Sequence, residues 1–271
     1  MFPENFDQQL FQQHEGNVQL ISDASDPNVG TTVVNYMSSI LNDYQNELLV
    51  NNIMPYSIKV EARMIYNPQL KAAYNFVPGV MAMVLLLICS LMTSVAIVRE
   101  KEMGTMEVLL VSPLKPGWIV ISKNIPYLVL SFVDICIILL LSYYVLDDPV
   151  KGNLVLLLAE STLFIITSLS LGMFVSSSAH TQTAAMFGTL VRLFMPTLMF
   201  SGFMFPIDNM PVPLQIISNV IPAKWFYYNV KSIMIKGLGF YLVWKETLIL
   251  FGMTLFLLVM SIRKFDKRLS L

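Results

Sequence analysis

Residues 77–98, VPGVMAMVLLLICSLMTSVAIV, run without a single charge. At 1.5 Å per residue, a helix of that length crosses the roughly 30 Å hydrocarbon core of a bilayer. Four more apolar stretches of comparable length follow, at about 119–146, 154–175, 184–205 and 242–262. The second and third are joined by DDPVKG and the third and fourth by SSSAHTQT. Links this short hold no further domain and make neighbouring spans antiparallel. Composition agrees: 55% of the 271 residues are hydrophobic and 13% charged, where a soluble domain carries charge on about a quarter.

Residues 1–76 are of another kind. They hold eight Asp/Glu against three Lys/Arg (Lys59, Arg63, Lys71), and the rest of the chain holds ten against fourteen. An acidic head on a slightly basic membrane body gives no basis for nucleic-acid binding. Alternation predicts strands at 17–22 and 56–66. Between them Val33, Tyr36, Met37, Ile40, Leu41, Tyr44 and Leu48 repeat at helical spacing over 29–50. A strand–helix–strand unit of this size buries little and calls for more chain or a partner. The expected fold is thus an α-helical membrane protein. It has about five transmembrane helices and a short re-entrant or interfacial helical segment, preceded by a partial α+β extracytoplasmic domain.

The re-entrant segment is expected at 206–222. Its run 214–221 is too short to cross a bilayer and too apolar for open water, and Pro206, Pro211, Pro213 and Pro222 interrupt it. Trp225 opens an aromatic cluster, WFYY, suited to the headgroup level. Ahead of the second span, 99–117 turns abruptly polar and ends in prolines. Met103, Met106, Leu109 and Leu110 fall at helical spacing, with Glu100, Lys101 and Glu107 between them. That pattern suits a short amphipathic helix on the membrane surface, and it equally suits a solvated turn.

The tail RKFDKRLSL, 263–271, places four cations in nine residues and favours a cytoplasmic C-terminus. Five spans then put residues 1–76 outside. Over the whole chain the cations tie, so the dense tail alone decides: Arg99, Lys101, Lys115, Lys123 and the four in the tail lie inside. Lys59, Arg63, Lys71, Lys151, Lys224, Lys231, Lys236 and Lys245 lie outside.

Three charges are expected to be buried in the spans, away from their ends: Asp134, Glu160 and Arg192. An ionisable group at bilayer depth costs a few kcal/mol or more, so it faces protein or water and takes a partner. A pair between Asp134 and Arg192 is expected, with Glu160 nearer the outer face and within reach of headgroups. These groups either line a polar route or fix the packing of the spans. His14 and His180 stand alone in loops, and Cys89 and Cys136 sit in apolar runs, so neither metal nor disulfide chemistry is indicated. Hydroxyls at 176–178 lack an accompanying base, which leaves nucleophilic catalysis without a basis.

Three stretches carry a family resemblance: 66–85 (YNPQLKAAYNFVPGVMAMVL), 98–127 (VREKEMGTMEVLLVSPLKPGWIVISKNIPY) and 201–237 (SGFMFPIDNMPVPLQIISNVIPAKWFYYNVKSIMIKG). In that order, and with SSSAHTQTAA between the last two, they resemble the type-2 permease subunits of ABC exporters, in particular a multidrug-efflux-like subgroup with a large extracytoplasmic domain. The resemblance implies a preceding span and about half an outer domain upstream of Met1. It divides the chain into a partial extracytoplasmic domain (1–76), a permease domain (77–262) and a basic cytoplasmic tail (263–271). It implies that 99–117 is the segment coupled to a cytoplasmic ATP-binding subunit, on Arg99, Glu100, Glu102, Gly104, Thr105 and Glu107. Lys231 stands where many members carry arginine, which puts in doubt any bidentate role there.

Further implications are a second permease chain, identical or paralogous, a periplasmic adaptor on the outer domain, and an inner-membrane location. The chain itself is expected to be a transport subunit with no cofactor of its own: no GxxxxGK[ST] occurs in it, and ATP is the partner's. The cargo implied is small, amphipathic or drug-like. A permease for lipid-linked polysaccharide is the rival within the class, against which the outer domain argues. An ion-coupled secondary transporter using Asp134, Glu160 and Arg192 is the rival outside it, and an intramembrane enzyme lacks a catalytic set.

Overall fold

The computed structural model describes residues 6, 15–51, 57–104, 116–147 and 149–269. The chain divides into two compact units, Met1–Asn75 and Phe76–Leu271.

In the first unit, β1 (Glu15–Asp23), α1 (Pro27–Asn51) and β2 (Ser57–Ile65) follow in order. The strands pair in parallel, with Val18 opposite Val60 and Leu20 opposite Ala62. A parallel pair requires a crossover, and α1 supplies it. Asp26 starts that helix: its Oδ1 accepts from the backbone N–H of Asn28 at 3.0 Å and of Val29 at 3.4 Å, filling donors that a helix start leaves open. Val18, Leu41 and Ile58 form the small core, with Leu20 and Val60 against it. The rest of the amphipathic stripe, Val33, Tyr36, Met37, Ile40 and Tyr44, is exposed. After β2, Asn67 clamps the next turn: its Oδ1 accepts from Lys71 N and its Nδ2 donates to Lys71 O, both at 2.9 Å.

The second unit contains five helices long and apolar enough to span a membrane. They are α2 (Ala73–Glu102), α3 (Pro116–Tyr144), α4 (Leu154–Ser176), a composite fourth, and the last, Phe240–Leu269. α4 is central, packing on α3 and on the last helix, and its Asn153 cap accepts from Val155 N at 2.8 Å. Close approach depends on glycine. A Cβ on Gly172 of α4 would lie 2.5 Å from the Ser90 carbonyl oxygen of α2, and one on Gly79 would fall on the Phe203 ring. Hydroxyl and thiol contacts tie the spans together: Thr167 to Thr254 at 2.6 Å, and Cys89 to Ser131 at 3.0 Å. Such small polar side chains are the usual adhesive between helices in lipid. α3 turns Ile125, Val129, Leu130 and Leu140 outward, as a surface in contact with lipid requires.

The fourth span departs from the continuous run expected at 184–205. It consists of α5 (Gln182–Thr189), a π-helical turn (Leu190–Phe194) and α6 (Met195–Phe200). Pro196 explains the break: it has no N–H to donate to Arg192 O, and its ring crowds that carbonyl. The turn widens, and Met195 N bonds to Leu190 O instead. The span then ends at Phe200, because Gly202 at φ +85° turns the chain out of the helix. Beyond it lie a 3₁₀ turn (Ile207–Asn209), α7 (Val212–Ser218), α8 (Pro222–Met234) and α9 (Phe240–Leu269).

The basic residues from 263 onward continue α9, which runs to Leu269. Lys and Arg are good helix formers and suit a helix C-terminus. The WFYY cluster lies in α8. Phe226 and Tyr227 are fully buried, and Phe226 stacks on Phe164 of α4 with centroids 4.2 Å apart and planes within 3°. In the amphipathic 13-residue helix α8 these two successive aromatics lie on the core side. Trp225, on the neighbouring azimuth, is half-buried and donates from Nε1 to Asn219 O at 3.0 Å.

Candidate functional site: a junction at the end of the first span

The expected boundary between span and surface segment at residue 98 does not exist. α2 continues unbroken through Arg99, Glu100, Lys101 and Glu102. It ends at Gly104, which has φ +70° and open space where a Cβ would be. A left-handed glycine is the common way to leave an α-helix. The four charged residues are therefore an extension of the membrane helix itself. Thr105 and Glu107 lie outside the described residues.

Three of these consecutive side chains reach three different neighbours. Glu100 forms an ion pair with Lys123 of α3. Lys101 Nζ donates to Ser176 O, the last residue of α4, at 2.9 Å. Glu102 takes Gln182, the first residue of α5, in both hands: Oε1 accepts from Gln182 N at 3.0 Å and Oε2 from Gln182 Nε2 at 2.5 Å. Successive residues on an α-helix point about 100° apart, so a single turn reaches outward in three directions.

The charges match the helix ends they meet. A C-terminus carries partial negative charge and unsatisfied carbonyls, which suits the Lys101 ammonium at α4. An N-terminus carries partial positive charge and free N–H groups, which suits the Glu102 carboxylate at α5. Beneath the polar layer Val98 packs with Ala179 and Ala185, and Ile97 with Met173. Asn124 of α3 adds a contact to Met173 Sδ at 3.4 Å. Arg99 stays exposed. Sequence reasoning marked Glu100 and Glu102 but missed their partners Lys123 and Gln182, and the contact of Lys101 with Ser176. Only the polar character of Gln182 at a helix start hinted at one of them.

The intramembrane charges do not converge. Asp134 lies on α3, and its Oδ2 is buried without a hydrogen-bond partner. Arg192 is exposed on the π turn. No ion pair joins them among the described residues. The widened turn before Pro196 sets the azimuth of Arg192 in a way that span counting does not capture. Glu160 is only 3% exposed. Its Oε2 accepts from Asn229 Nδ2 at 2.9 Å and its Oε1 from Thr247 Oγ1 at 2.5 Å. The carboxylate thereby links α4, α8 and α9. Of the prolines, Pro206 and Pro211 precede the 3₁₀ turn and α7, and Pro213 and Pro222 occupy first turns of α7 and α8, where a missing N–H costs nothing.

A family model described as "ABC-2 family transporter protein" matches residues 1–263. The chain is 31% identical over 222 residues to the probable multidrug ABC transporter permease YbhS of Escherichia coli K12, covering 81% of this chain and 59% of that one. With the probable multidrug ABC transporter permease YbhR of the same organism it shares 31% over 245 residues, 90% of this chain and 66% of the other. With the inner membrane transport permease YhhJ it shares 28% over 276 residues, 99% and 72%. The chain thus spans about three-fifths of YbhS and two-thirds of YbhR. On the family match, which takes in the junction and all five spans, the chain belongs to the ABC-2 family of transporter proteins.

Proposed function

We propose that this chain is the permease part of an ATP-driven ABC exporter that moves small amphipathic or drug-like molecules out across the inner membrane. It acts with a cytoplasmic ATP-binding subunit, which hydrolyses the nucleotide, and with a second permease chain. An adaptor outside the membrane docks on the first unit. Residues 99–117 face the cytosol in this reading, residues 1–76 lie outside, and the C-terminus is cytoplasmic.

The observation that carries the reading is the fan of Glu100, Lys101 and Glu102 to α3, α4 and α5. A displacement of the chain just beyond Gly104 bears on the end of α2. From there it reaches three more spans through charged contacts, with no flexible linker between. That is the mechanical property an ATP-driven permease needs at the point where a motor engages it. Relatives bearing the words "multidrug" and "permease" in their names support the cargo class and the role.

The test is reconstitution in vesicles with a cytoplasmic ABC ATP-binding subunit. ATP-dependent movement of an amphipathic dye is expected, absent when either component is omitted. Transport driven by an ion gradient without that subunit would overturn the proposal. A cysteine at Arg99 should react with an impermeant maleimide from the cytoplasmic side only; labelling from the opposite side would overturn the orientation.

A further inference from the structure

We propose that the cavity between α7, α8 and the first two turns of α9 binds an organic ammonium group, with Glu246 as its counter-ion. The cavity measures about 450 Å³ and is walled by Trp225, Tyr228 and Leu242, with Asp208, Lys224 and Glu246 as its charged members. It is far in sequence from the α2 junction, and the argument for it does not use the exporter reading.

Charge accounts for the choice of ligand. Two carboxylates and one ammonium leave the cavity with a net charge of −1. Lys224 is already engaged: its Nζ donates to Asn219 Oδ1 at 2.6 Å and to Ser218 Oγ at 3.1 Å. It also sits 5.2 Å from the centre of the Trp225 ring. Burial pushes its pKa below the ordinary lysine value, and the Asp208 carboxylate works in the opposite direction. Asp208 and Lys224 thus offset one another, which leaves the uncompensated charge on Glu246.

Glu246 Oε2 is sealed from solvent and has no hydrogen-bond partner among the described residues. A buried carboxylate oxygen in that condition is costly unless a cation or donor meets it. Two carboxylates beside a lysine and aromatic walls make a sparse ligand set for a metal ion and a suitable one for an organic cation. An alkylammonium supplies N–H donors or diffuse positive charge for Glu246, and its carbon body suits the Leu242 and aromatic walls. The ring of Trp225, which already accepts the Lys224 cation against it, is a surface of the right polarity. The same headgroup chemistry occurs in free amines and in ethanolamine phospholipids.

The experiment uses the purified chain in neutral detergent with Trp118 and Trp244 replaced by Phe, so that Trp225 alone fluoresces. Titration with hexyltrimethylammonium should give a saturable change, and hexanol should give none over the same range. E246Q should weaken binding about 30-fold, as expected when one partner of a desolvated charge pair is lost. D208N, at an exposed position, should weaken it by a smaller factor, because Lys224 is then unopposed. K245Q, adjacent but outside the cavity, should bind as the parent does. Equal binding of hexanol, or undiminished binding in E246Q, would overturn the proposal.

In nanodiscs, competition by ethanolamine phospholipid but not by phosphatidylglycerol would identify the bilayer as the source. Lack of competition, with ammonium binding intact, would identify a free amine. Neither arm involves ATP or transport, so loss of this site and failure of the exporter reading are separately observable.

Discussion

Glu160 carries much of the cohesion among α4, α8 and α9, because one buried carboxylate accepts from Asn229 and Thr247 at once. Removing it takes the charged acceptor from both donors, at about 1.5–3 kcal/mol each, and leaves Asn229 Nδ2 with Thr247 Oγ1 at 3.4 Å and the Thr247 hydroxyl with Val243 O at 2.9 Å. Glu160→Ala is therefore expected to lower the detergent melting temperature clearly. Glu160→Gln keeps a carbonyl acceptor and should lose less; equal losses would mean that the hydrogen bonds are not what matters. Glu102 is a different case, being exposed and engaged with the start of α5. Glu102→Lys replaces a favourable charge at a helix N-terminus with an unfavourable one, a change of about 0.3–1 kcal/mol at most for each sign. Stability should hardly move, and ATP-dependent transport should fall. Full transport by correctly inserted Glu102→Lys would remove Glu102 from the coupling path. Neither residue's partners were legible beforehand. Asn229 and Thr247 lie 69 and 87 positions from Glu160, and no periodicity registers a contact over that distance.

Helices show how far hydropathy reaches. All five spans were readable because an uncharged run of bilayer length has few alternatives. Their ends and interruptions were not, because an apolar scale scores proline and glycine by oiliness and ignores backbone geometry. Pro196 therefore passed unnoticed inside the fourth span, although it fixes the π turn at Leu190–Phe194. Pro196→Ala restores the missing donor and should return the turn to ordinary α-helix, rotating Arg192 by a large fraction of a turn. Reaction rates of single cysteines at 191, 192 and 195 should permute in that background; an unchanged order would mean that another feature holds the turn. The α2–α4 contact is similarly specific. Gly172→Val drives a side chain into the Ser90 backbone and should cost about 1–3 kcal/mol by overpacking, measured as a fall in melting temperature. The aromatics of α8 were legible as a cluster, but their packing was not: Phe164 on α4 offers Phe226 a stacking partner from 62 positions away.

For the molecule as a whole, the membrane unit and the small first unit differ in what holds them together. The second is bound by glycine contacts, hydroxyl pairs and one carboxylate hub. The first rests on two paired strands and a core of three buried residues, with an apolar helix face uncovered. Its two strands and helix were each foreseen to within a few residues, whereas their parallel register was not, since register depends on pairing that no single strand encodes.

The fastening at the end of α2 has one more implication. A rod gripped at three compass bearings resists spin, because any twist about its own axis strains every grip together. Swing in one direction drags all the neighbours along. A push from below would then open or close the bundle as a unit, and no single span would answer first.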